Sequence, residues 1–157
     1  MRLYHASTVI VEHPDVQHSR DNLDFGRGFY TTTLKDQAIR YAERYVRRGV
    51  AAYLNEYEFD EVVEGFSIKS FPMYNDEWID YVARCRRGQL PKKVYDAVTG
   101  GIANDRVFNT IDLYFAGQIT KEEALERLRF EKPNHQLCFL SNRLLDLHLH
   151  FIKAERI

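Results

Sequence analysis

The sequence has little cysteine and little proline, two and four residues respectively among 157. Cys85 and Cys138 lie far apart, which excludes a disulfide scaffold and a Cys-x-x-Cys zinc site and suits a reducing compartment. No stretch approaches the roughly 18 consecutive apolar residues of a membrane-spanning helix. Met1-Arg2-Leu3-Tyr4-His5 opens as strand-like sequence, not as the basic and apolar start of an export signal, so a cytoplasmic protein without membrane contact is expected. An excess of either charge is missing too. With 22 Lys and Arg against 23 Asp and Glu, the net charge of -1 exerts no overall pull on a phosphate backbone and leaves only local basic patches for nucleic acid. Repeats, low-complexity tracts and Pro/Gly/Ser-rich linkers are also absent, so residues 1–157 read as one domain, long enough to build its own core.

Apolar residues are plentiful, at 45% of the chain with 13% aromatic, which predicts a packed globular fold. Short strands are expected at Leu3–His5 and Thr8–Val11, then a surface loop over Glu12–Asp24. The β-prone run Gly28–Thr32 leads into a helix opened by Thr33 and Asp36 and stopped by Gly49. Ala38, Tyr41, Ala42, Tyr45 and Val46 form its inward face. Strands follow at Val50–Phe59 and Phe66–Phe71. Asn75 then caps a helix that turns Trp78, Ile79 and Val82 inward and ends before Gly88. A strand at Val94–Thr99 precedes a helical hairpin, Asn104–Ala116 and Thr120–Leu128, the second helix opened by Thr120 with Glu123. Lys132-Pro133-Asn134 reads as a tight connection to closing strands at Gln136–Leu140 and Leu147–Ala154. The sum is an α+β fold.

Several short motifs have plain structural readings. Asp24-Phe25-Gly26 lacks the other parts of a kinase, and Gly26-x-Gly28 lacks the third glycine of a dinucleotide fingerprint, so both are read as backbone features ahead of Tyr30. His135 and Cys138 are three apart on a strand and face opposite ways, which makes Cys138 a core residue and not a nucleophile. His148 and His150 share a strand face but have no obvious further metal ligand, so they are read as surface histidines, and no metal is expected. Arg40, Arg44, Arg47 and Arg48 crowd one helix end, and Arg84, Arg86 and Arg87 another. Complementation of the carbonyl end of the helix dipole accounts for them, and a phosphate or nucleic-acid role is the sharper alternative.

A different set carries chemistry. Leu3-Tyr4-His5-Ala6-Ser7, Gly26-Arg27-Gly28-Phe29-Tyr30-Thr31-Thr32, and the ten residues that separate Tyr30 from Tyr41 resemble the His-Tyr class of ADP-ribosyltransferases, typified by diphtheria toxin and the poly(ADP-ribose) polymerases. The runs Trp78–Val82, Tyr95–Asp105 and Asn134–Phe139 are similar to an uncharacterised bacterial family of that superfamily. The physical demands agree: a nicotinamide ring is gripped by flat aromatics, and a ribose needs side-chain hydrogen-bond partners.

The resemblance implies split antiparallel sheets with flanking helices, NAD as substrate, and a protein or nucleic-acid acceptor. In this reading His5 binds a ribose hydroxyl, Ala6 offers backbone groups to the nicotinamide amide, and Thr31 lies beside the cofactor. Tyr30 and Tyr41 stack on the ring. The family pattern then wants a glutamate on a late strand, to hold the ribose and stabilise the cation formed as nicotinamide departs. Gln136 stands there, so the catalytic set is Gln136, His5 and Tyr30, with Glu131 the second choice for the carboxylate. The same resemblance suggests an intracellular toxin paired with a small antitoxin protein. Two further readings stay open: a catalytically silent module that binds NAD, ADP-ribose or a protein, and an RNA-end phosphotransferase.

Overall fold

The computed structural model describes residues 1–101, 105–131 and 135–157. Among them are seven strands and five helices in two sheets, so the chain is α+β, as its periodicities predict. The first sheet is antiparallel throughout, in the order β1 (Arg2–Ser7), β3 (Tyr53–Phe59), β7 (Leu149–Arg156). The second runs β2 (Phe29–Thr31), β6 (Gln136–Phe139), β5 (Ala97–Gly100), β4 (Ile68–Phe71). It departs from the antiparallel expectation in one pair. β4 and β5 are parallel, because helix α2 (Asp76–Arg86) lies between them and supplies the crossover that parallel neighbours need.

A single bridge joins the two sheets. Tyr4 and Thr32 exchange both main-chain hydrogen bonds, N–H to C=O at 2.8 and 3.0 Å, and no further β1–β2 ladder forms among the described residues. Around this junction the apolar residues sort into layers by strand alternation. Leu3, Tyr57 and Phe59 of the first sheet meet Phe29, Leu137 and Phe139 of the second, with Leu144 and Leu145 of helix α5 (Asn142–His148) closing that core. On the outer face of the second sheet, Val98 and Cys138 pack under α2, α3 (Asp105–Phe115) and α4 (Lys121–Leu128), where Trp78, Ile79 and Val82 are fully buried. Each such aliphatic side chain contributes roughly 1.5–3 kcal/mol. Helix α1 (Lys35–Arg47) covers the first sheet through small residues, Ala38 and Ala42, with Ala42 packed on Ala6 and Ala52.

Local signals explain most boundaries. Asn75 accepts from the N–H of Trp78 at 2.9 Å and Thr120 from that of Glu123 at 3.1 Å, the two caps expected. Gly49 ends α1 with φ of 73°, a left-handed conformation suited to glycine. Other expectations are corrected. Thr33 does not cap α1; the N-cap is Leu34, without a side-chain bond, and the Thr32 hydroxyl accepts from the Leu34 N–H at 3.1 Å. Tyr41 and Val46 are exposed, leaving a narrower inward face of Ala38 and Ala42 with Tyr45 at its edge.

Thr8–Val11 is not a strand. The buried Asn55 side chain captures it instead, accepting from the Val11 N–H at 2.8 Å and donating to the Val9 carbonyl at 3.2 Å. Leu147 and His148 belong to α5, which Ser141 caps by accepting from the Leu144 N–H, and the strand alternation begins only at Leu149. The proposed connection Lys132-Pro133-Asn134 and the start of the preceding hairpin at Asn104 lie outside the described residues.

Candidate functional site

The seam where β1 and β2 part is built by one side chain. Tyr4 directs its N–H and C=O toward β2, so Ala6, two residues on, directs its own the same way. In a continued ladder the Ala6 N–H would meet the Tyr30 carbonyl. His5 takes that carbonyl instead, its Nδ1 donating to the Tyr30 oxygen at 2.7 Å while its ring lies 4.5 Å from that of Phe29. Histidine thus ends the pairing and leaves both main-chain groups of Ala6 without a β2 partner among the described residues.

The same bond fixes the tautomer. A carbonyl can only accept, so Nδ1 carries the proton, and burial lowers the His5 pKa from its ordinary 6.5 against the opposing pull of the Tyr30 carbonyl. The ring is therefore neutral at pH 7, with Nε2 as an acceptor, the state required to take a hydrogen bond from a hydroxyl.

Extending the β2–β6 register by one residue sets Gln136 opposite Thr32, and strand alternation puts it on the face that carries Tyr30 and Cys138. Its Oε1 is buried and has no hydrogen-bond partner among the described residues. Such an atom costs about 1–3 kcal/mol, as do the Trp78 Nε1 and Tyr81 hydroxyl, which likewise lack a partner among the described residues of the helical core. Glu131, the alternative carboxylate, lies elsewhere. Its N–H bonds to the Leu128 carbonyl at the end of α4, and its charge acts on Tyr74, which burial, Asp24 and Glu131 together raise to about 12.

A comparison with protein families matches the chain over residues 1–151 to the family described as Protein of unknown function (DUF3990). The chain belongs to the DUF3990 family. No curated protein matches this DUF3990 chain.

Within this DUF3990 fold the remaining site candidates separate. Tyr30 is wedged into the helical side of the second sheet. Its hydroxyl donates to the Gly26 carbonyl at 2.5 Å and accepts from the Phe25 N–H at 3.1 Å, its ring stands parallel to Phe25 at 6.5 Å, and burial holds its pKa far above the ordinary range. The Asp24-Phe25-Gly26 segment is thus the clamp for Tyr30. Gly26 has φ of 83°, and a side chain on Gly28 would lie within 2.6 Å of both the Cys138 sulfur and the Phe139 carbonyl.

The Tyr41 ring is exposed on α1, edge-on to Tyr45 at 5.7 Å with the Arg44 guanidinium 5.2 Å above it. Thr31 is buried, and its hydroxyl donates to the Leu137 carbonyl at 2.9 Å. Cys138 is core as expected: burial pushes its thiol far up, while His135 is exposed.

Sequence reasoning missed three polar features. Asp24 pairs with Arg86 at 2.8 Å, and that guanidinium also stacks 3.7 Å over Phe108, so Arg86 is more than a cation at a helix end. Asp60 accepts from both His148 Nδ1 and His150 Nε2, at 3.0 and 3.2 Å; the single Oδ2 that receives both holds its carboxyl below the ordinary range. No group of three metal-ligating side chains able to hold an ion is found among the described residues. Asn55, the third, could have been suspected only as a polar residue inside a strand that otherwise reads as buried.

Two shallow surface concavities, of about 330 and 320 Å³, lie at the start of α1 and between loops 21–27 and 88–95; neither is lined by His5, Tyr30 or Gln136. No described helix is long and apolar enough to cross a membrane.

Proposed function

We propose that this protein is an NAD-dependent mono-ADP-ribosyltransferase that holds the nicotinamide riboside part of NAD at the β1–β2 seam and transfers ADP-ribose to a macromolecular acceptor. The observation that carries the reading is the interrupted ladder: His5 occupies the Tyr30 carbonyl and so frees the Ala6 N–H and C=O side by side. A primary carboxamide is the complement of such a pair, its carbonyl accepting from the N–H and its amino group donating to the C=O. Nicotinamide carries that group.

Two ribose contacts follow from the atoms with spare capacity. Neutral His5 Nε2 accepts from one hydroxyl, and the orphaned Gln136 Oε1 accepts from another. The Tyr30 ring, clamped by Phe25 and Gly26, is the rigid wall on the face it shares with Gln136. Tyr41 and Thr31 are left out of this assignment. In the reaction the bond from the ribose anomeric carbon to the nicotinamide nitrogen breaks, and its electron pair leaves with nicotinamide. A nucleophilic atom of the acceptor bonds that carbon and releases its proton to water. Gln136 stabilises the electron-poor carbon only through a neutral hydrogen bond, of about 0.5–1.5 kcal/mol against about 1.5–3 for a charged one, so the reading entails slow turnover.

The neutral side chain at position 136 also favours a second reading, a module that binds NAD or ADP-ribose at the same seam without turnover. An intracellular toxin neutralised by a small antitoxin protein is the setting that the first reading fits. The deciding experiment incubates purified protein with NAD and cell lysate and follows nicotinamide release and ADP-ribose incorporation. Slow release that disappears in His5→Ala and Gln136→Ala supports the transferase. NAD binding that needs His5 but gives no release selects the silent module. Growth arrest on expression of the wild type but not of Gln136→Ala would support the toxin.

A further inference from the structure

Helix α1 carries two stripes that its packing does not use. Arg40, Arg44 and Arg48 recur every four residues along one exposed line, spanning about 12 Å. Beside it run Tyr41 and Tyr45, in edge-on contact, with Arg44 folded over the Tyr41 ring and not along the helix toward its carbonyl end. Complementation of the helix dipole accounts for Arg44, Arg47 and Arg48 in and beyond the last turn, but not for Arg40, which lies a turn before them.

The neighbouring loop adds a fourth cation. Burial and Tyr41 raise the Tyr45 pKa, while the charges of Arg20 and Arg48 pull it the other way, and Arg20 is exposed on its loop. Of the carboxylates on α1, Glu43 pairs with Arg47 at 3.7 Å, and Asp36 lies in the first turn. Arg20, Arg40, Arg44 and Arg48 have no carboxylate partner among the described residues, in a chain whose net charge is only -1.

We infer that the exposed face of α1, with Arg20 from the preceding loop, is a docking surface for single-stranded nucleic acid. Unpaired arginines take the phosphates, and the exposed Tyr41 ring is a platform on which a base stacks, the pairing of cationic track and aromatic step that single-strand binding uses. An acidic protein would be satisfied by the arginines alone and would have no use for the ring. The inference does not depend on NAD binding at the seam.

The test is fluorescence anisotropy of labelled twenty-nucleotide poly(dT) and poly(U) against the intact protein without NAD. Three to four phosphate contacts predict a log–log salt dependence with a slope of about -2 to -3. Arg44→Glu with Arg48→Glu should weaken binding by at least about tenfold, and Tyr41→Leu by roughly fivefold or more at unchanged salt slope. All three side chains are exposed, so folding is checked by an unchanged melting temperature. Preference for one strand type identifies DNA or RNA as the source of the ligand. No binding by the wild type, binding indifferent to the arginine pair, or an acidic polypeptide competing equally while Tyr41→Leu has no effect would each overturn the inference.

Discussion

Replacing Gln136 by glutamate should make the protein faster, and the size of the gain follows from the site. The side chain is on the first residue of β6, with its Oε1 buried and unpartnered, where the proposed chemistry develops positive charge on the ribose. Exchanging a neutral hydrogen bond for a charged one adds about 1–1.5 kcal/mol of transition-state stabilisation, which is roughly tenfold in rate. The field of the carboxylate at the anomeric carbon adds to this, since that interaction grows only as nicotinamide leaves. A carboxylate in a partly dehydrated position also destabilises the protein without NAD, and each 1 kcal/mol lowers the melting temperature by about 2–4 °C for a domain of this size. Gln136→Glu should therefore melt a few degrees below the wild type and release nicotinamide at least about tenfold faster at saturating NAD. The assay is the initial rate of nicotinamide release, with Gln136→Ala as the inactive reference. A folded Gln136→Glu protein that binds NAD and turns it over no faster than the wild type would refute the role given to this residue.

Three other outcomes test the supporting structure. His5 has a folded pKa below its ordinary 6.5, so the unfolded chain binds the proton first and the fold loses stability as pH falls through 6.5 toward the folded value. The drop in melting temperature between pH 7.5 and pH 5.5 should accordingly be smaller in His5→Gln than in the wild type, and an equal drop would show that His5 is not held neutral. Gly28→Ala places a methyl group 2.5 Å from the Cys138 sulfur and 2.6 Å from the Phe139 carbonyl, which should cost about 1–3 kcal/mol or more in urea unfolding; a neutral result would contradict the close approach of β6 to the Tyr30 clamp. Asp24→Ala leaves Arg86 without its 2.8 Å partner, with only Asp112 at 3.8 Å, and should cost about 3 kcal/mol, measured the same way, whereas a loss under 1 kcal/mol would mean that the pair is solvated.

The elements legible in the sequence are those whose signals are local. Asn75, Thr120 and Gly49 mark helix ends by satisfying or releasing main-chain groups within a few residues, and α2 announces its inward face through Trp78, Ile79 and Val82. The elements that were not legible depend on partners distant in the chain. Thr8–Val11 has strand composition, but Asn55, more than forty residues on, takes its hydrogen bonds. α5 is only seven residues long and merges into β7, so its apolar spacing reads as a continuation of the strand. At the candidate site, the sequence names His5, Ala6 and Gln136 but does not show how the strands bearing them meet. The seam exists because β1 and β2 meet at one bridge, and no spacing within either segment encodes that. The inward face of α1 was misjudged for a related reason. Helical spacing sets which way Tyr41 faces around α1, but whether that side is buried depends on α1 docking through Ala38 and Ala42, which turns Tyr41 outward.

The central claim is that His5, by taking the Tyr30 carbonyl, opens a seam that holds the nicotinamide end of NAD. Isothermal titration of NAD, and separately of nicotinamide, into the wild type and His5→Ala tests it most directly. The account predicts saturable binding of both by the wild type, with NAD affinity reduced at least about tenfold in a folded His5→Ala protein. Absence of NAD binding by the wild type, or equal affinity in the two proteins, would contradict it.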